Sequence, residues 1–145
     1  MIFDLLRTFG LCTAAMLSYA LLMRTPFRAL ILSAFLGSTG YMIYFVINNY
    51  ITNELPAYFF GALFVSVIGE VMARIMKMPS TIFVIPSIIP LVPGYGLYRA
   101  MLLLVQNDFD GFIKTGAQTF FIAGIIAVAI ALTNFVARRL FPRRR

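Results

Sequence analysis

The sequence predicts an all-α, polytopic integral membrane protein of about five transmembrane helices, the fourth of them broken by prolines. Composition is the first reason: the 145 residues are 61% hydrophobic and 12% charged, with mean hydropathy +0.93, outside the range of a soluble domain. Charge spacing is the second. The charged residues stand at the edges of apolar runs about 20 residues long, the length that crosses roughly 30 Å of hydrocarbon. The third is the stretch from Met78 to Met101, a largely apolar run interrupted by Pro86, Pro90, Pro93, Gly94 and Gly96. The whole chain reads as one transmembrane domain with no room for a soluble catalytic unit, so no enzyme is expected.

Taken in order, the expected spans are approximately 5–23, 29–49, 56–77, 80–106 and 115–137. The first lies between Arg7 and Arg24, which enclose 16 uncharged residues, so Arg7 is expected to snorkel to the interface. A signal peptide is the competing reading of this run. The weak basic start, Arg7 offset by Asp4, argues instead for a retained span. The second lies between Arg28 and Glu54, 25 residues, with Asn48 and Asn49 near its far end. Pro56 opens the third, which carries Glu70 and Arg74 in its last turns before Lys77. The fourth is the proline-broken segment. The fifth, between Lys114 and Arg138, has 23 uncharged residues.

These crossings give an orientation. Placing loops on alternate sides puts Arg24, Arg28, Arg74, Lys77 and the tail Arg138, Arg139, Arg143, Arg144 and Arg145 together, nine basic residues. The other side receives Asp4 with Arg7, Glu54, and Asp108, Asp110 and Lys114. Lysine and arginine in short loops stay cytoplasmic, so the N-terminus is expected outside and the C-terminus in the cytoplasm.

The fourth segment carries the functional signal. In hydrocarbon an unpaired backbone N–H or C=O costs several kcal/mol, so a spanning segment is normally an unbroken helix. Each proline removes a helical hydrogen bond, and three of them exceed what a mild kink absorbs. Irregular backbone survives at membrane depth where protein shields it or where it lines a watery cavity, and transporters build substrate sites from such discontinuous helices. From Met78 to Asn107 is 30 residues, about 45 Å as a straight helix, so the segment must tilt, unwind or fold back.

Other function classes are excluded by what is missing. With no histidine and one cysteine, Cys12, inside an apolar run, no disulfide framework, metal site or cofactor is expected. The net charge of +7 does not indicate nucleic acid, because the basic residues flank apolar runs and do not line a soluble face. Small residues recur at helical spacing: Ser33, Gly37 and Tyr41 beside Ala34 and Ser38; Ala62, Ser66 and Gly69; Ala123, Ala127 and Ala131 with Gly116 and Gly124. Such stripes let helix backbones approach closely in lipid, within the chain or toward a partner. Five short spans make a thin bundle, so a homo-oligomer or a second subunit is expected.

Three blocks resemble the threonine/serine exporter (ThrE-type) family. Pro86-Ser-Ile-Ile-Pro90-Leu-Val-Pro93-Gly94, followed by Tyr98 and Met101, is similar to the family's signature. Pro26-Phe-Arg28-Ala29-Leu30 leading to Leu36-Gly37-Ser38-Thr39-Gly40 agrees with it, as does Met78-Pro79-Ser80-Thr81-Ile82-Phe83. Length matches the small, separately encoded subunit of the split exporter. The resemblance implies an inner-membrane exporter of threonine, serine or small dicarboxylates, driven by the proton gradient and working with a larger membrane subunit of the same family.

Within that frame the candidate substrate-binding residues are Pro90, Pro93, Gly94, Tyr95, Gly96, Tyr98 and Arg99. A second half-helix beginning at Gly94 would aim free N–H groups and a positive dipole end at the carboxylate of a small solute. The glycines would permit close backbone approach; the alternative is a structural kink. Arg99 would be the counter-ion, or would snorkel outward. Tyr95 and Tyr98 would hydrogen-bond the solute or anchor at an interface. Glu70 is the proton-coupling candidate, against a bland reading as an i,i+4 ion pair with Arg74. The competing class for the whole chain is a non-transporting scaffold subunit in which the Pro-Leu-Val-Pro-Gly element is a docking surface.

Overall fold

In the computed structural model, which describes residues 2–50 and 54–140, the apolar runs are helices. They are α1 (Ile2–Leu22), α2 (Phe27–Tyr50), α3 (Glu54–Ile75), α4 (Thr81–Ile88), α5 (Gly94–Val105) and α6 (Phe109–Leu140). One turn of 3-10 helix, Ile89–Leu91, joins α4 to α5. The fold is all-α, with no strand among the described residues. Arg143, Arg144 and Arg145, counted above for orientation, lie outside those residues.

Three helices are long and apolar enough to cross a membrane: Phe27–Asn49, Glu54–Ile75 and Phe109–Arg139. The pair Thr81–Leu91 and Gly94–Val105, bent by 50°, makes a fourth if its halves count as one span. Leu6–Leu22 is a shorter apolar helix.

Three of these helices stop by the same device. At the end of α3, the Met78 N–H donates to the Ala73 carbonyl (2.8 Å) and the Lys77 N–H to that of Arg74 (3.2 Å). Lys77 itself is left-handed, with φ 53°. This is the Schellman arrangement, which satisfies the orphan carbonyls of the last turn. Arg24 (φ 52°) ends α1 and Asn107 (φ 62°) ends α5 with the same pair of bonds. Asparagine tolerates that conformation readily; arginine and lysine adopt it at a cost. Their charges sit where a helix C-terminus favours cations.

Packing follows the small residues. A Cβ on Gly37 would lie 2.9 Å from the Ser87 carbonyl oxygen, so α2 and α4 approach there to backbone contact. Gly61 of α3 meets the Gly40 carbonyl of α2, and Gly69 meets Val84 of α4. The buried Ser87 hydroxyl donates to the Ser33 carbonyl of α2 at 2.7 Å. Phe83, Ser87 and Leu91 are fully buried. The proline-bearing backbone is thus shielded by α1, α2 and α3, which is how irregular main chain survives in an apolar medium.

Two of the expected stripes lie in this interior: Ser33, Ala34, Gly37 and Ser38 of α2, and Ala62, Ser66 and Gly69 of α3 are buried. The third differs. Ala123, Gly124, Ala127 and Ala131 of α6 face outward, because α6 meets α3 and α5 through Thr119, Ile122, Ile126, Ala129 and Thr133 instead.

Candidate functional site

One proline makes the break. Pro86 is carried inside α4, and Pro90 sits at the start of the 3-10 turn, where a missing N–H costs little. Ile89, although it precedes Pro90, keeps helical angles (φ −52°, ψ −42°). Val92, which precedes Pro93, is extended at φ −63°, ψ 128°, as steric clash with a following proline favours. Pro93 itself has φ −76° and ψ 57°, and the Gly94 N–H donates to the Val92 carbonyl at 2.7 Å. That is an inverse γ-turn. The expectation that all three prolines interrupt the helix is therefore corrected: a tightening at Pro90 and a turn at Pro93 suffice.

Helix α5 begins beyond that turn without a side-chain cap. Tyr95 and Gly96 occupy its second and third positions, whose N–H groups have no acceptor within a helix. They open onto a cavity of about 400 Å³. The broken span contributes Pro90, Val92, Pro93, Gly94, Tyr95, Gly96 and Arg99 to its wall. Helices α2 and α3 contribute Tyr41, Tyr44, Glu54 and Tyr58; α6 contributes Thr115, Gln118, Thr119 and Ile122. Thr119 lies four residues beyond Thr115, about 6 Å along the axis of α6 from where the apolar run begins, so the cavity sits at the Glu54 end of the bundle, just inside the apolar layer. The Tyr44 and Tyr58 rings, 4.4 Å apart, form its aromatic side.

Of the residues expected from sequence, Pro90, Pro93, Gly94, Tyr95, Gly96 and Arg99 meet around this one space. Tyr98 does not line it; its side chain is 64% exposed on the outer surface of α5. The two glycines differ in kind. A Cβ at Gly94 would meet nothing within 4 Å, whereas at Gly96 it would run into the Thr119 hydroxyl. Gly96 is therefore required for α5–α6 packing, and Gly94 alone leaves open backbone facing the cavity. Glu70 is elsewhere. It accepts a hydrogen bond from Arg74 at 3.2 Å near the other end of α3, about 24 Å along the helix from Glu54.

Sequence reasoning assigned no role in the site to Glu54, Tyr41, Tyr44 or Tyr58. The available signal was spacing: Tyr41 and Tyr44, and Glu54 and Tyr58, are i,i+3 and i,i+4 pairs on faces that a short α2–α3 connection brings together.

A family model described as "Threonine/Serine exporter, ThrE" matches residues 8–136. The chain belongs to the threonine/serine exporter family. The matched range takes in residues of all six helices, those lining the cavity among them. A Haemophilus influenzae protein, named only as an uncharacterized protein, is 26% identical over 132 residues, covering 86% of this chain and 44% of that one. The chain thus spans less than half the length of this relative. No solved structure matches it. The family is described as one of exporters, and the long apolar helices make this a multi-pass membrane protein; among the described residues no cluster of metal-ligating side chains occurs.

Proposed function

We propose that this chain is the smaller subunit of a two-component inner-membrane exporter of small carboxylate-bearing metabolites, and that the cavity beside Pro93 holds the solute. One observation carries the reading: an uncapped helix start, an arginine and a glutamate share the wall of one small polar cavity inside an apolar bundle. The volume lies within the range of small-molecule sites. The solute carboxylate would accept from the Tyr95 and Gly96 N–H groups and pair with Arg99. Glu54 favours amino acids such as threonine or serine over dicarboxylates, since it offers a partner to an ammonium group and repels a second carboxylate. The tyrosine hydroxyls and Gln118 would serve the remaining polar groups.

Five crossings are the arrangement we favour, with α1 as the first and the bent α4–α5 pair as the fourth. The 50° bend between its halves supports a broken through-span over a re-entrant turn. The N-terminus would then be outside and the C-terminus in the cytoplasm. The outward stripe of Ala123, Gly124, Ala127 and Ala131 suits close docking of the larger subunit or a second copy. Coupling to the proton gradient is part of this reading, and Glu70, paired with Arg74 away from the cavity, remains its candidate carboxylate.

The test is solute efflux from loaded cells carrying the chain with its partner. Arg99→Gln is expected to lower threonine or serine efflux by about ten- to a hundredfold, the worth of one charge-assisted hydrogen bond of roughly 1.5–3 kcal/mol, while membrane insertion is unchanged. Glu54→Gln is expected to raise dicarboxylate efflux relative to amino acid efflux. If variants across residues 86–99 altered complex assembly and never solute selectivity, the scaffold reading would replace this one.

A further inference from the structure

At the end of the bundle opposite Glu54, two further cavities adjoin. One, about 930 Å³, is lined by Arg74, Lys77, Ser80, Thr81, Asn134 and Arg138. The other, about 480 Å³, is an apolar groove between α3 and α6, lined by Leu63, Val67, Val71, Ile75, Leu132 and Val136. Glu70 and Arg74 border both, so the groove runs directly into the basic cavity. Three cations against one carboxylate, Glu70, leave the lining of the larger cavity with an excess of two positive charges. Glu70 is already engaged by Arg74, which also donates to the Ala137 carbonyl at 3.1 Å and ties α3 to α6 at the junction.

We propose that this pair of cavities is a binding site for a phospholipid with an anionic headgroup. Its phosphate would sit between Lys77 and Arg138, and one acyl chain along the groove. Each half of the site fits one half of that molecule. Beyond Glu70 and Arg74 at its mouth and the buried Thr133, the groove wall is apolar, and Val67, Val71, Ile75, Leu132 and Val136 are exposed along it, as an acyl chain requires. The cavity above it supplies two ammonium or guanidinium groups with Ser80, Thr81 and Asn134 as neutral donors, as a phosphate diester requires. A free anion would account for the basic cavity and leave the groove without a purpose. Lys77 is held at this spot by the left-handed turn that ends α3, so its position is set by backbone and not by a drifting side chain alone.

The experiment uses the full chain in phosphatidylcholine vesicles containing a small fraction of spin-labelled lipid, with motionally restricted lipid read by electron spin resonance. Labelled phosphatidylglycerol is expected to be retained in preference to labelled phosphatidylcholine. Lys77→Gln and Arg138→Gln should each cut that preference about fivefold at most, as loss of one interfacial cation implies. Val71→Trp, which fills the groove and leaves the charges in place, should cut it too. Replacing Arg143, Arg144 and Arg145 by glutamine should leave most of it. Free glycerol phosphate should not displace the labelled lipid. The proposal is overturned by equal retention of the two lipids, by loss of preference on removing the tail arginines alone, or by displacement with glycerol phosphate, which would make this a soluble-anion site. Efficient cross-linking of Val71→Cys between protein chains in the same vesicles would give the groove to a helix and overturn it as well.

Discussion

Gly96→Ala isolates the contact that holds the half-helix α5 against α6. The added methyl would overlap the Thr119 hydroxyl, with Thr119 Cγ2 at 3.2 Å and Cβ at 3.3 Å. Thr119 has little room to yield. It is 4% exposed, its β-branched side chain is stiff, and its hydroxyl donates to the Thr115 carbonyl at 2.7 Å. Overpacking of this kind costs about 1–3 kcal/mol. The assay is thermal unfolding of the purified chain in detergent, on Gly96→Ala, Thr119→Ala and the double variant. Thr119→Ala removes both Oγ1 and Cγ2, so the double variant is expected to recover most of the loss, a coupling of about 1–3 kcal/mol. Gly94→Ala is the control, since its methyl meets nothing and a helical Gly→Ala exchange stabilises by up to about 1 kcal/mol. A Gly96→Ala chain as stable as the parent would refute the packing argument. So would a loss that Thr119→Ala leaves unrelieved.

Gly94→Leu is expected to abolish export while leaving membrane insertion intact, because the larger side chain fills the cavity without touching the packed interior; normal efflux in loaded cells would remove the cavity from the pathway. Ser87→Ala should destabilise by about 1 kcal/mol, as it leaves the Ser33 carbonyl without its buried donor. Ser66→Ala is expected to be neutral or stabilising in the same melting assay, because the Ser66 hydroxyl is buried without a hydrogen-bond partner. Glu70→Gln should change stability by less than about 1 kcal/mol, the usual worth of a partly exposed pair, so a large fall in efflux from that variant would speak for proton coupling.

Much of this architecture was legible in the residues. Charges at Arg24, Arg28, Glu54, Lys77 and Asp108 mark helix boundaries because an ionised group is costly in hydrocarbon and is pushed to the ends. Glu70 and Arg74 were legible as a pair because helical spacing alone places them together, and they meet at 3.2 Å. The proline cluster announced a broken span but not which proline breaks it. Pro86 and Pro90 are absorbed because Phe83, Ser87 and Leu91 bury that backbone against α2 and α3, a tertiary fact without a local signature. The role of Gly96 was opaque for the same reason: its tight neighbour, Thr119, is 23 positions away. Glu54 read as an ordinary loop charge; only the packing of α2 against α3 sets it beside Tyr41, Tyr44 and Tyr58. The α6 stripe, indistinguishable in sequence from those of α2 and α3, points the other way, since periodicity defines a face and not its direction.

The turn at Pro93 also divides the molecule mechanically. Among the described elements α5 touches only α6, and α6 reaches the remainder through α3 alone. Helices α1 to α4 form a chassis into which α6 is locked through Ile122, Ile126 and Ala129, and α5 alone is an outrigger, set off by the Val92–Pro93 link and braced along one seam. Swinging α5 would widen or close the space beside Arg99 by turning a few backbone bonds, without unpicking the contacts at Ser87, Gly37 or Gly61. A gate made this way asks little of the fold that carries it.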